Sequence, residues 1–261
     1  MPLLQYPSVI FSRTPLRLVI CQVRFPVLLR FSDGAFVAPF HEAIAEEYPT
    51  PDREQVLGWE ISPEKGVQTS PPTTVWRFNS ADQAWSAVLG EAALTLEVRG
   101  YRAIDDFAPR FERLVVAARH HLGVRQRLRL GLRYINEFRR TDAETVADWA
   151  ALFRPEFIGF VGTDLIEGNA TQSAVQAQFE TPQGTLNIRH GLFTGAAVQP
   201  LPENAGKFYL LDMDYFDSRA APLEAAGTTQ RLRAYNNVMY RYFRWAIGDG
   251  SLYESLEPQN A

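Results

Sequence analysis

RLRLGLRYINEF, residues 127–138, alternates basic and apolar side chains with a period of two. That period belongs to a β-strand with one face in a core and one outside it, because successive side chains point to opposite faces. On this reading Leu128, Leu130, Leu132 and Tyr134 share the buried face, and Arg127, Arg129, Gly131 and Arg133 share the other. Three guanidinium groups along one side of a sheet require counter-charges or an anionic ligand.

Downstream of this strand, Val146 to Phe153 reads as a short helix ended by Pro155. Ala174–Glu180 and Thr185–His190 form a hairpin across Thr181–Gly184 (TPQG), and Phe208–Phe216 (FYLLDMDYF) is the last strand. Thr229 to Ile247 closes the chain as a helix with Leu232, Tyr235, Met239, Tyr242 and Ala246 along one stripe. Upstream, the same order of elements occurs. Leu16 to Phe25 (LRLVICQVRF) is a strand with Val19, Cys21, Val23 and Phe25 on one face, and Phe40 to Tyr48 is a short helix stopped by Pro49. A Pro-rich connector with Pro51, Pro63, Pro71 and Pro72 leads into strands at Thr74–Phe78, Trp85–Leu89 and Leu94–Tyr101. Asp105 or Asp106 then caps a helix whose Phe107, Phe111, Leu114, Ala118 and Leu122 recur at helical spacing, with Gly123 where a C-cap glycine belongs.

The chain thus reads as a β-α-β-β-β-α unit written twice, residues 1–124 and 125–261. Gln22-Val23-Arg24-Phe25 echoes Gly131-Leu132-Arg133-Tyr134, and Leu96-Glu97-Val98 echoes Leu211-Asp212-Met213. Each unit has one apolar sheet face and apolar helix stripes that pack together. The expected fold is α+β, with two pseudo-twofold halves around a continuous antiparallel sheet or a barrel, in one globular unit. The alternative is one irregular α+β domain whose halves agree by chance.

Composition bounds the function. The chain has 261 residues, 46% of them hydrophobic and 21% charged, which excludes a disordered or fibrous protein. A net charge of -4 excludes a uniformly basic nucleic-acid coat, although only Lys65 and Lys207 are lysines and the other basic residues are arginines. One cysteine, Cys21, excludes an internal disulfide and a multi-thiolate metal site, and on the core side of a strand it reads as an inert thiol. Pro2, Pro7, Arg13 and Arg17 interrupt the apolar start, and no run is long enough to span a membrane. A cytoplasmic protein without membrane contact is the expectation.

Asp212 and Asp214 share one face of their strand, opposite Leu211, Met213 and Tyr215. If that strand pairs with residues 127–138, an Arg/Asp lattice forms, each cross-strand pair contributing about 0.2–1 kcal/mol. The functional alternative is an anion pocket on Arg129, Arg133 and Asn136, with Asp212 and Asp214 beside it. A lone D-x-D is weak as a Mg²⁺ or Mn²⁺ site. His41, His120, His121 and His190 show no metal-ligand spacing, and the pair at 120 and 121 suits a helix C-terminus. There is no nucleophile elbow, P-loop or dinucleotide fingerprint, and Ser62-Pro63-Glu64-Lys65 fits S-x-x-K only within the Pro-rich connector. No catalytic residue, metal or cofactor is expected. On the closing helix, Arg233, Asn237, Tyr240, Arg241, Arg244 and Trp245 mix cations with aromatic rings. Such a face suits a solvated surface, a protein interface or a nucleic-acid backbone.

Arg129-Leu130-Gly131-Leu132-Arg133-Tyr134-Ile135-Asn136 resembles the signature of a sporadically distributed, uncharacterised family of bacterial and archaeal proteins. Further pieces fall in that family's order along the whole chain. Pro15-Leu16 precedes Cys21-Gln22-Val23-Arg24-Phe25, Trp76-x-Phe78 is followed by Trp85, Tyr101 by Phe107, and Leu211-Asp212-Met213-Asp214 comes late. The resemblance assigns no catalytic residues. Scattered occurrence implies travel on mobile cassettes, such as phage-defence or toxin–antitoxin systems. The functional expectation is therefore a non-enzymatic binding or assembly component of such a system, with a protein partner or self-association through the sheet edge or the closing helices. The alternatives are a nucleic-acid or nucleotide binder using the arginines, and an enzyme on an anionic small molecule with Asp212 or Asp214 as base.

Overall fold

Arg129–Phe138 lies near the middle of a nine-stranded sheet, flanked on both sides by antiparallel strands. The computed structural model describes residues 5–56, 59–62, 66–69, 73–163, 165, 167–168, 170–198 and 206–260. The chain runs through β1 (Val9–Phe11), β2 (Leu16–Arg24), α1 (Gly34–Ile44), β3 (Thr50–Val56), a small hairpin of β4 (Trp59–Ser62) and β5 (Gly66–Thr69), then β6 (Thr73–Asn79), β7 (Trp85–Gly90), β8 (Ala93–Val98) and α2 (Ile104–His121). It continues through β9 (Gln126–Arg127), β10 (Arg129–Phe138), α3 (Val146–Ala150), α4 (Pro155–Ile158), a 3-10 turn at Gly159–Gly162, β11 (Val175–Thr181), β12 (Gly184–Thr194) and β13 (Lys207–Asp217). β14 (Ala221–Pro222), α5 (Ala225–Ile247), α6 (Ser251–Ser255) and β15 (Pro258–Asn260) complete it.

The α+β class is as expected. The sheet order is β11-β12-β13-β10-β2-β8-β7-β6-β3, with every neighbouring pair antiparallel. It stays open, with β11 and β3 at its edges. Val19, Cys21, Val23, Leu130, Leu132, Tyr134, Leu211 and Met213 face a core with the stripes of α2 (Phe107, Phe111, Leu114, Ala118) and α5 (Leu232, Tyr235, Met239, Ala246). Burying each large apolar side chain contributes about 1.5–3 kcal/mol, so this two-layer contact dominates the stability of the fold. The opposite sheet face is mixed. It carries ion pairs and a second apolar cluster of Ile135, Phe208 and Leu210, with Leu18, Ile20 and Phe193 packed against it. Among the described residues, no helix is long and apolar enough to cross a membrane.

Several local expectations are corrected. The first helix begins at Gly34 and not Phe40, because the Asp33 carboxylate accepts from the Ala35 N–H and caps it. Part of the expected Pro-rich connector is the edge strand β3, where Pro51 is tolerated because an edge strand need not donate on its outer side. Pro63, Pro71, Pro72 and the Pro63-Glu64-Lys65 part of the S-x-x-K match lie outside the described residues. Neither Asp105 nor Asp106 caps α2; Ala103 holds that position without a side-chain bond, and both aspartates sit in the first turn. Gly123 has φ +70°, as a C-cap glycine requires. Pro155 starts α4 and does not merely end α3, since its fixed φ and missing N–H suit the first helical position. Phe208–Phe216 is not the last strand, because β15 returns to pair with β1, Val9 opposite Asn260.

The alternation in the decisive strand also breaks at its start. Leu128 is 41% exposed and Arg127 only 4%. Arg127 leaves the main ladder to pair with Ala221, while the Leu128 N–H donates to the Arg24 carbonyl, so the chain steps over one residue before β10 begins. Arg127 therefore faces inward, 3.0 Å from Asp217, and does not stand in a row with Arg129 and Arg133.

Candidate functional site

On the sheet face away from the helices, the register sets Arg133 opposite Asp214 and Ile135 opposite Asp212. The long guanidinium side chains reach diagonally. Arg133 donates from Nε and Nη2 to the two oxygens of Asp212, each at 2.7 Å, and Arg189 of β12 adds a bond to Asp212 Oδ2 at 3.3 Å. Arg129 donates to Asp214 Oδ2 at 2.8 Å and stacks on the Phe216 ring. Its guanidinium lies where a Cβ on residue 131 would stand, 2.6 Å from that point, so the glycine makes room for it. The Arg/Asp lattice is thus formed, and the acceptors that an anion would have to displace are already in place. Burial raises the Asp214 pKa above the ordinary carboxylate value, with the Arg129 and Arg133 charges opposing that shift.

Asn136 does not join Arg129 and Arg133. It sits opposite Leu211, on the helix side of the sheet, and donates from Nδ2 to the Leu211 carbonyl at 3.0 Å. An anion pocket built on all three is excluded by the pleat, since residues an odd number apart along a strand face opposite ways.

The interface residues expected on α5 are mostly occupied by the chain itself. The Tyr240 hydroxyl accepts from the Val9 N–H at 3.0 Å and donates to the Pro7 carbonyl at 2.8 Å, while Arg241 bonds Gln5. Arg233 bonds Asp105 at the start of α2. Arg244 is a correction, because it is 3% exposed and not an outward cation. Its guanidinium lies 4.0 Å from the Tyr253 ring, close to Tyr6 and Phe11, and donates to Asp249. Trp245 is half-buried against Tyr242 and Phe157. Residues 5–11 lie over this helix as a strap, fixed by the pairing of β1 with β15.

Beneath the strap, where the start of β2, the far end of β10, the N-terminus of α2 and the middle of α5 meet, is a cavity of about 430 Å³. Its apolar walls include Phe11, Leu16, Ile104, Met213, Met239 and Phe243. A hydrogen-bonded chain crosses it. The Tyr134 hydroxyl donates to Asn236 Oδ1 at 2.8 Å, which leaves Tyr101 to donate to Tyr134 across 3.0 Å. Burial pushes both phenols well above their ordinary pKa, so both stay protonated at neutral pH. Asn136, Asn237 and Tyr240 add amide and hydroxyl groups to the lining, and Arg102 lies at the rim, with no ion-pair partner among the described residues.

A cavity of this size with apolar walls and a few convergent polar groups has the anatomy of a small-molecule site. The two phenols, Tyr101 and Tyr134, are suited to hydrogen bonding more than to proton transfer, since a useful acid or base has a pKa near the working pH, and the carboxylate of Asp105, which also lines the cavity, is ion-paired with Arg233. Among the described residues, no group of three or more His, Cys, Asp or Glu side chains is gathered to hold a metal ion. Sequence reading placed Tyr134 in the core and Asn237 and Tyr240 on the closing helix without joining them. The available signal was a tyrosine on a core-facing position, whose hydroxyl must find a partner. No protein-family model matches the chain, and a search of curated proteins finds no match.

Proposed function

We propose that the protein is a non-enzymatic binding component and that its ligand site is the cavity under the N-terminal strap. The observation that carries this is the Tyr101–Tyr134–Asn236 chain inside one apolar-walled cavity, a set of fixed, uncharged donors and acceptors with both phenols held protonated. The ligand class is an amphipathic organic molecule with an aromatic or aliphatic body, a hydrogen-bonding edge, and room for an acidic group at the Arg102 rim. The family resemblance of residues 129–136 supports placing this component in a mobile, defence-type system, and a reducing cytoplasm suits its single buried cysteine.

We also read the two halves as a duplication. The strand order supports it. β2 is followed outward by β8, β7 and β6, and β10 by β13, β12 and β11, so the first strand of each half meets its counterpart at the centre. The arginines give little support to nucleic-acid binding, because Arg129, Arg133, Arg189, Arg233 and Arg244 are each paired with an aspartate.

Thermal-shift and calorimetric titration of the full chain with a panel of nucleosides and aromatic amino acids tests the site. At least one member should bind, and Tyr134→Phe, which keeps the ring and removes the hydroxyl, should weaken it about tenfold. A panel without a binder, or binding that Tyr134→Phe leaves intact, overturns the proposal.

A further inference from the structure

The two edges of the large sheet are built differently. β3 carries Pro51 followed by Asp52, Arg53 and Glu54, the proline and charges that discourage another strand from adding on. β11 reads Val-Gln-Ala-Gln-Phe-Glu-Thr, without proline and with one charge. Its apolar side chains prolong rows that begin in the core. Tyr215, Leu186 and Phe179 stand side by side across three strands, as do Met213, Ile188 and Ala177, and Leu211, His190 and Val175. In the first and third rows burial ends abruptly at the edge. Leu186 and His190 are buried, while Phe179 is 48% and Val175 37% exposed.

From this we infer that β11 is a self-association edge, and that its partner is β11 of a second copy of this chain, paired antiparallel about a twofold axis through Gln178. The sequence of the strand is complementary to itself in that register. Val175 faces Thr181, Ala177 faces Phe179, Gln176 faces Glu180, and Gln178 faces its own equivalent. The single acidic residue meets an amide and never its like charge, and the two Phe179 rings extend the apolar rows across the junction. Alternate residues of an edge strand turn their N–H and C=O groups outward, and a twofold through Gln178 sets equivalent alternates opposite one another. A single added strand pair buries little area, so the dimer is of the weak class and depends on concentration. The inference does not rest on the cavity and survives if that site fails.

Sedimentation velocity on the full chain over a concentration series should show a monomer–dimer equilibrium. Gln178→Lys, at an exposed position, should weaken it about tenfold or more by setting two ammonium groups face to face, with an unchanged circular-dichroism spectrum. Gln178→Cys supplies a stricter test. Directly opposite residues lie about 4.5–5.5 Å apart between Cα atoms, within the span of a disulfide. Because Cys21 is buried, mild oxidation should link Gln178→Cys chains into dimers and leave Asp52→Cys chains, altered on the other edge, unlinked. A chain that stays monomeric at every concentration, a dimer indifferent to Gln178→Lys, or cross-linking that fails at 178 or succeeds equally at 52 would each overturn the inference.

Discussion

His190 is held neutral by its surroundings. It is buried, its Nδ1 lies 3.0 Å from the Tyr209 hydroxyl, and its ring stacks on Phe157 at 4.1 Å. Burial lowers its pKa from 6.5 to about 4. An unfolded chain takes up a proton at this residue near pH 6.5, whereas the folded chain does so only near 4, so the stabilisation is complete above 6.5 and is lost as pH falls toward 4. The loss should amount to roughly 3 kcal/mol, read as a falling urea midpoint between pH 7 and 4. His190→Gln should flatten that slope; an unchanged slope would assign it to other groups. Nothing in the sequence marked this histidine, because its environment is assembled by α4 and β13, which are far from it along the chain. Arg127 shows the same limit. The two-residue period predicts an exposed arginine, and only the step at Leu128, set by a distant carbonyl of Arg24, turns it inward beside Asp217.

At the scale of elements, the pairing of β10 with β13 was legible, since alternating arginines on one strand and alternating aspartates on another both announce a polar face. The diagonal reach of Arg133 to Asp212 was not, because it depends on register and twist. Arg133→Ala should destabilise the protein by about 1–3 kcal/mol in denaturant titrations, since it removes two bonds from a buried carboxylate that keeps only the longer one from Arg189. In a double-mutant cycle with Asp212→Ala, the two losses should fall short of adding by about 1 kcal/mol or more; simple additivity would mean that the pair is not coupled. β3 escaped the sequence because proline at its second position reads as a connector, and an edge strand is the one place in a sheet where that residue fits. The α5 face was legible in composition and not in partner. Its tyrosine and arginines are plain in the sequence, but the groups that meet them come from residues 5–11, from Asp105 and from Asp249 and Tyr253, and the short β1 has too few residues to show a period.

At the scale of the molecule, β2 and β10 bind the halves through a central ladder, and α2 packs on α5 above it. The order of elements made a shared sheet readable, but the cavity lies where both halves contribute, and no local pattern describes such a place. Separately expressed segments 1–124 and 125–261 should each lack cooperative unfolding in urea, because each leaves a central strand edge and half of a helix pair uncovered. An isolated half with a sigmoidal transition would instead mark an autonomous domain. Val9 and Asn260 lie across one ladder from each other. A short linker joining residue 9 to residue 260 could therefore close the segment 9–260 into a ring, and a new opening at the exposed Gln183 turn would yield a circular permutant with the same strand neighbours. A fluorophore carried at the exposed Gln259, opposite Ile10, would sit beside the strap and report on the same place.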